Sequence, residues 1–199
     1  MPRLKSLAIS GARDRCEGFE QLSSLDALDL SGCYLDDAML QDIARMPRLR
    51  RLNLSGTDMP PAGLTPLRSL HSLEELILDH RDFSAATAAE VGELRSLKRL
   101  SLRSARLPSN AIGHLATLDH LEMLYLDESD LRSDQSRSAN WWPDLFTGAA
   151  WKTRLGPEAA GELKQLQQLR VLSLGKAALP QKEIDALKVA LRRCEVRTN

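Results

Sequence analysis

The chain has 199 residues, 43% of them hydrophobic but only 4% aromatic, so any core it buries is built mainly from aliphatic side chains. Its 27 basic and 27 acidic residues give a formal net charge of +0, which removes the long-range attraction on which nucleic-acid and anionic-membrane binders depend. No apolar run approaches the roughly 20 residues of a membrane-spanning helix, and the opening Met1-Pro2-Arg3-Leu4-Lys5 leads into no long hydrophobic segment. Three scattered cysteines, Cys16, Cys33 and Cys194, fit neither a disulfide framework nor a zinc knuckle, and reduced thiols in a cytoplasmic protein are expected.

Internal repetition organises the rest. A frame L-x-x-L-x-L begins at Leu25, Leu49, Leu73, Leu97 and Leu121, each start one constant 24-residue period after the last. An earlier frame, Leu4-Leu7-Ile9, precedes them, Leu169-Leu172-Leu174 follows, and Cys194-x-Val196 is a terminal stub. The gap between Leu121 and Leu169 is two periods, so a degenerate unit is expected at Leu145, with Gly148 and Ala150 in its leucine slots. Further along each unit stands a second apolar position: Leu35, Met59, Phe83, Leu107, Leu131, Leu155 and Leu179. Apolar pairs three apart then close the units, Ile43/Met46, Leu67/Leu70, Val91/Leu94, Leu115/Leu118 and Leu163/Leu166, a spacing that predicts one or two helical turns. Pro60-Pro61, Pro108 and Pro157 fall where those helices should begin, where the missing proline N–H costs nothing.

These residues resemble a leucine-rich-repeat protein over essentially the whole chain. The resemblance implies an α/β repeat solenoid, with parallel strands on the concave face and short helices on the convex face. It would form a single domain over 1–199, about eight repeats plus a C-terminal capping helix and stub. No unit of such a chain closes its own core, so stability comes from stacking on the neighbours. At the ninth position, where many members of the family place asparagine, stand Cys33, Thr57, Arg81, Ala105, Ser129, Thr153 and Ala177. Arg81 and the alanines are not expected to build the same side-chain ladder.

Strand alternation sends the third, fifth and seventh residues of each frame to the concave face. Among them, Arg51, Glu75 and Arg99 alternate in one column and Asp79, Arg103 and Asp127 in another. Such charges neutralise one another across strands, or meet a partner of mixed charge. Met123, Tyr125 and Trp151 form an apolar group on the later units, with Ile77 nearer the centre, and large apolar groups facing water mark interfaces unless a nearby segment covers them. The stretch 132–152 is irregular and opens polar, and it carries Trp141-Trp142-Pro143. Trp142 is read as a plug for a missing leucine, while Trp141 and Trp151 either fill the core or face a partner.

No catalytic constellation assembles. His71, His80, His114 and His120 lack metal-ligand spacing and a positioned nucleophile, and His80 reads as a solvated loop residue near the concave rim. No cofactor is implied. At the ends, the Leu4 frame begins so early that the N-terminal edge is either covered by the short Gly11-to-Gln21 return, with Phe19 and Leu22, or bare and open to docking, whereas Gln181 to Arg193 reads as an amphipathic cap with basic residues in its last turn.

The reading is a non-catalytic module that binds a protein partner on its concave face through Arg51, Glu75, Ile77, Asp79, Arg99, Arg103, Met123, Tyr125, Asp127, Trp141 and Trp151, with no nucleic acid and no membrane insertion. The arginine-heavy basic set suggests a bacterial source. Within the resemblance the implied roles are an effector delivered to a host cell, the substrate-recognition part of a bacterial effector or ubiquitin-ligase system, or an antitoxin-like inhibitor.

Overall fold

A computed structural model describes residues 4–12, 18–58, 63–108, 110–127, 130–132, 157–175 and 179–198. Each clean L-x-x-L-x-L frame becomes a short strand whose middle leucine points inward. In chain order the strands are β1 (Ser6–Ala8), β2 (Ala27–Asp29), β3 (Arg51–Asn53), β4 (Glu75–Ile77), β5 (Arg99–Ser101), β6 (Arg106–Pro108), β7 (Met123–Tyr125), β8 (Asp130–Arg132), β9 (Val171–Ser173) and β10 (Glu195–Arg197). Eight of them form one parallel sheet in the order β1-β2-β3-β4-β5-β7-β9-β10, and β6 and β8 form a second, two-stranded ladder. Hydrogen bonds run past the strand ends: Leu30 N donates to Asn53 O at 2.9 Å and Gly32 N to Ser55 O at 2.8 Å.

The registers follow the leucine frame. Leu28, Leu52, Leu76, Leu100, Leu124 and Leu172 lie side by side, each at 2% exposure or less. The stub also joins the sheet, with Val196 opposite Leu172. The second apolar positions keep step as well: Leu107 stands opposite Leu131 in the second ladder, and Leu35, Phe83, Leu107 and Leu179 are buried. Met59 and Leu155 lie outside the described residues.

Helical returns close the units. They are α1 (Asp37–Ile43), a 3-10 turn (Thr65–Ser69), α2 (Ala85–Gly92), α3 (Ala111–Leu115), α4 (Pro157–Leu163) and α5 (Gln181–Ala190). Asp36 and Ser84 cap α1 and α2 by accepting from Met39 N at 2.8 Å and Thr87 N at 3.0 Å, satisfying donors that have no partner within the helix. The paired apolar residues from Ile43/Met46 to Leu163/Leu166 are all buried. Pro157 opens α4 as expected. Pro108 does not open a helix; it closes β6, where its fixed φ suits the end of a short strand. Pro60-Pro61 lie outside the described residues.

The expected rung at Leu145 is absent from the main ladder. Met123, Leu124 and Tyr125 pair directly with Val171, Leu172 and Ser173, and Leu126 N donates to Ser173 O at 2.8 Å. The unit that begins at Leu121 supplies β7 and β8, and then α4, which packs on α3 as the next helix of the convex row. With the segment 133–156 set aside, its two parts, 121–132 and 157–168, together make one full period. Gly148 and Ala150 supply no isobutyl group, so a rung there would bring little apolar area to the stack. The segment 145–150 itself lies outside the described residues.

Candidate functional site: the concave face

The concave face is floored by the outward residues of the strands. In register, the third-position column runs Ser6, Ala27, Arg51, Glu75, Arg99, Met123, Val171, Glu195. The fifth-position column runs Ala8, Asp29, Asn53, Ile77, Ser101, Tyr125, Ser173, Arg197 over the same pairings. The ladder thus places Val171 and Ser173, not Thr147 and Ala149, beside Met123 and Tyr125, and the rung that would have set Trp151 next to Asp127 is missing. Trp141, Trp142 and Trp151 lie outside the described residues.

The expected neutralisation is real for some of the charges. Arg99 meets Glu75 at 3.3 Å and Arg103 meets Asp127 at 3.1 Å. The arginines are 38% and 51% exposed, so each pair contributes little stability in solvent. Arg51 makes no ion pair with Glu75, and none with any other described residue.

The acidic residues do more than balance charge. Asp79 Oδ1 accepts from Arg103 N at 2.8 Å and Ser101 Oγ at 2.7 Å. Asp127 Oδ1 accepts from Gly175 N at 2.8 Å and Ser173 Oγ at 2.5 Å. Each carboxylate therefore ties its own rung to the next, and Asp127 makes that tie across the point where the sequence is interrupted. Asp29 plays a related part, accepting from Ser31 N at 2.9 Å and Asn53 Nδ2 at 2.9 Å. Burial works to raise the pKa of Asp29, but the hydrogen bonds from Ser31 and Asn53 hold the carboxyl below its ordinary value.

The apolar group centres on Tyr125. The Arg103 guanidinium lies over its ring, 4.8 Å from the centroid, within cation–π range. The Tyr125 hydroxyl contacts Met123 Sδ at 3.5 Å. Ile77, Met123 and Tyr125 are each half-buried and share this face.

Backbone conformation separates the rungs. The eighth position, where the chain leaves the strand, takes a positive φ in successive units: Gly11 at 69°, Gly32 at 67°, Gly56 at 63°, His80 at 57° and Ser104 at 52°. Glycine adopts this region without a Cβ clash, whereas other L-residues pay about 1–2 kcal/mol. His80 is solvent-accessible on the rim, as the sequence suggested.

The ninth position differs from expectation at Arg81. Its side chain is 7% exposed. Its Nη2 donates to the Thr57 carbonyl and, at 2.9 Å, to Thr57 Oγ1, one unit back. Arginine's reach thus supplies the inter-turn bond that its unsuitable shape seemed to forbid. Burial lowers the guanidinium to about 10, against the opposing pull of Asp58. Cys33 also bonds back to the preceding unit, from its thiol to Ile9 O at 3.2 Å. Ala105 has no side-chain donor.

Two further ladders were not read from the sequence. Residues just before the leucine frame bond back to the preceding unit: Ser24 to Leu4 O, Ser72 to Pro47 O, Ser96 to Leu73 O and Gln168 to Leu118 O, at 2.8–3.0 Å. Second-position charges alternate as Lys5, Asp26, Arg50, Glu74, Lys98, Glu122 and Arg170. Contacts of 3.0–3.6 Å join Lys5 to Asp26, Glu74 to both Arg50 and Lys98, and Glu122 to Arg170. The signal was available, because alternation continues only if Glu122 and Arg170 are neighbours, with no rung between them.

Among the described residues no cluster of histidine, cysteine, aspartate or glutamate could hold a metal ion. No described helix is long and apolar enough to cross a membrane.

The parallel ladder, inward leucines and helical returns define the leucine-rich-repeat solenoid. No family model matches the chain, and no curated protein does. Solved structures do. Internalin C2 from Listeria monocytogenes is similar at a TM-score of 0.60 and 17% identity, over 96% of this chain and 69% of that one. The Arabidopsis receptor kinase HAESA, solved with the peptide hormone IDA and the co-receptor SERK1, matches at 0.60 and 21%, over 99% of this chain and 30% of its own. TLR13, solved with ssRNA13, matches at 0.55 and 18%, over 90% and 22%. At these identities the likeness is one of fold, and this chain spans under a third of the HAESA and TLR13 chains.

Proposed function

We propose that the protein is a non-catalytic binding module whose concave face engages another protein, with Met123, Tyr125 and Ile77 as apolar anchors and Arg51, Arg99 and Arg103 giving orientation. One observation carries the reading: an apolar group and an arginine lying over the Tyr125 ring share one face of the sheet with exposed charges. Aromatic and arginine side chains dominate binding hot spots. Glu75, Asp79 and Asp127 position Arg99, Arg103 and the strand exits, which makes them supports for the surface. Trp141 and Trp151 remain candidates on the interrupted unit. HAESA, a structure of similar fold solved in complex with a peptide hormone and a co-receptor, supports a protein-binding role.

The fold also appears with RNA in the TLR13 complex. The balanced charge of this chain and the pairing of Arg99 and Arg103 with Glu75 and Asp127 favour a protein. A reducing compartment suits Cys33, whose thiol is buried, and Cys194, whose thiol burial pushes up to about 11. Within this reading the partner's setting is that of a bacterial effector, a ubiquitin-ligase recognition unit or an antitoxin-like inhibitor.

The test is affinity purification from lysate of the native source, wild type beside Met123→Ala/Tyr125→Ala, with thermal unfolding as control. A protein retained by the wild type and lost from an equally stable variant supports the concave site. Equal recovery from both contradicts it and directs attention to the N-terminal edge, where Leu4, Leu7 and Ile9 are only half-buried and the outer side of β1 is unpaired among the described residues.

A further inference from the structure

We infer that Arg103 is a preset receptor for a side-chain carboxylate, so that the partner on the concave face presents an acidic residue flanked by apolar ones. This inference rests on the concave-face reading and specifies the chemistry of the partner. Three observations carry it. The Arg103 guanidinium is laid over the Tyr125 ring, 4.8 Å from its centroid. Its Nε donates to Asp127 Oδ2 at 3.1 Å. Its Nη1 and Nη2 make no hydrogen bond with any described residue, and the side chain is 51% exposed.

The cation–π contact holds the guanidinium against the Tyr125 ring and the Nε bond to Asp127 restricts its rotation. The edge left open is the pair of terminal nitrogens. That edge can present two parallel N–H donors, the geometry matched by a carboxylate. An arginine already held by two contacts has less rotamer freedom left to lose on binding, which lowers the cost of forming the new contact.

The neighbouring charges do not close this edge. Asp127 commits Oδ1 to Gly175 N and Ser173 Oγ, and Oδ2 to Arg103 Nε. Asp79 directs Oδ1 to Arg103 N and Ser101 Oγ, thereby holding the rung from which Arg103 projects. Arg99, on the same face of the same rung, adds a second partly exposed cation beside Glu75. Met123 and Ile77 lie on the strands either side of β5 and supply the apolar flank. A short acidic segment with aliphatic neighbours complements this arrangement, with its carboxylate on Arg103 and its side chains against Met123 and Ile77.

The probe is the blocked tripeptide Ac-Leu-Glu-Leu-NH2, with Ac-Leu-Gln-Leu-NH2 as its uncharged control. Each is titrated into the 15N-labelled full chain while the Arg103 Nε–H resonance and the amides of 101–104 and 125–127 are followed. The glutamate peptide should shift these resonances at millimolar concentration and the glutamine peptide should shift them about fivefold less. Arg103→Lys, which keeps the charge but loses the planar fork, and Tyr125→Leu, which keeps an apolar floor but loses the stack, should each weaken the response roughly threefold to fivefold. Equal response to both peptides, no response to either, or shifts spread evenly over exposed arginines such as Arg45, Arg51 and Arg170 would overturn the inference. Its failure is distinct from that of the concave-face reading: a lysate partner lost on Met123→Ala/Tyr125→Ala but retained at full strength by Arg103→Lys keeps the site and removes the carboxylate.

Discussion

The run of regular units from Leu25 to His120 and the interrupted unit that begins at Leu121 obey the same packing rules, yet only the first announces them. In the regular run a single period returns the chain to the next rung, and leucines, charges and strand exits all advance together. In the interrupted unit the chain takes two periods to return, and the next rung is nevertheless the neighbour of β7. The sheet therefore defines a repeat by what it stacks, and sequence spacing is only a proxy for that. Asp127 makes the point locally, because it bonds Gly175 and Ser173 across the interruption as Asp79 bonds Arg103 and Ser101 across an ordinary step.

Core truncation probes the comparison with the largest effect. Leu100→Ala in the regular run and Leu124→Ala beside the interruption should each cost about 2–5 kcal/mol in denaturant unfolding, since both side chains are fully buried between rungs. A surface-like cost at Leu124 alone would mean that β7 and β9 do not share a core.

Asp127→Ala comes next. It removes the acceptor of a backbone N–H and a serine hydroxyl on the following rung. A loss of about 1–3 kcal/mol is expected, together with faster amide exchange at Gly175. Asp79→Ala should behave alike at Arg103. An effect at Asp79 without one at Asp127 would break the equivalence of the two steps.

His80→Gly and Ser104→Gly should move stability the other way. Both positions hold a positive φ that three earlier units give to glycine, so relief of the Cβ clash should raise stability by about 0.5–1 kcal/mol each, read as a higher Tm. Destabilisation would show that the side chains hold contacts the backbone argument omits.

The smallest effect is electrostatic. Glu122→Lys places a third cation between Lys98 and Arg170 and should cost about 0.2–1 kcal/mol at low salt, shrinking as ionic strength rises.

Most of the architecture was legible because leucine spacing reports core contacts directly. From Leu25 to Leu126 the frame and the closing pairs take the places that their periodicity implies, as do Leu35, Phe83 and Leu107 at the second apolar position. Leu145 misled because one leucine at the right distance imitates a frame, while Gly148 and Ala150 already lacked the bulk to build one. The charge alternation through Glu122 and Arg170 held the correct answer, in a row that faces neither the core nor the concave floor. At the candidate site, alternation along each strand placed Glu75, Arg99, Met123 and Tyr125 correctly on one face. The Arg103 stack on Tyr125 and the bond from Arg81 to Thr57 depend on side-chain rotamers, which residue order does not encode. The left-handed turns at His80 and Ser104 were hidden because neither residue type signals a positive φ as glycine does.

The most direct test of the account removes the segment 133–156 and joins Arg132 to Pro157, which restores a unit of one regular period. If β7 and β9 are neighbours, the shortened chain keeps its circular dichroism and a cooperative transition, and the amide of Leu126, which donates to Ser173 O, is protected from exchange in both chains. Collapse of the transition, or loss of protection at Leu126, would show that 133–156 supplies a rung and that the ladder is wrong.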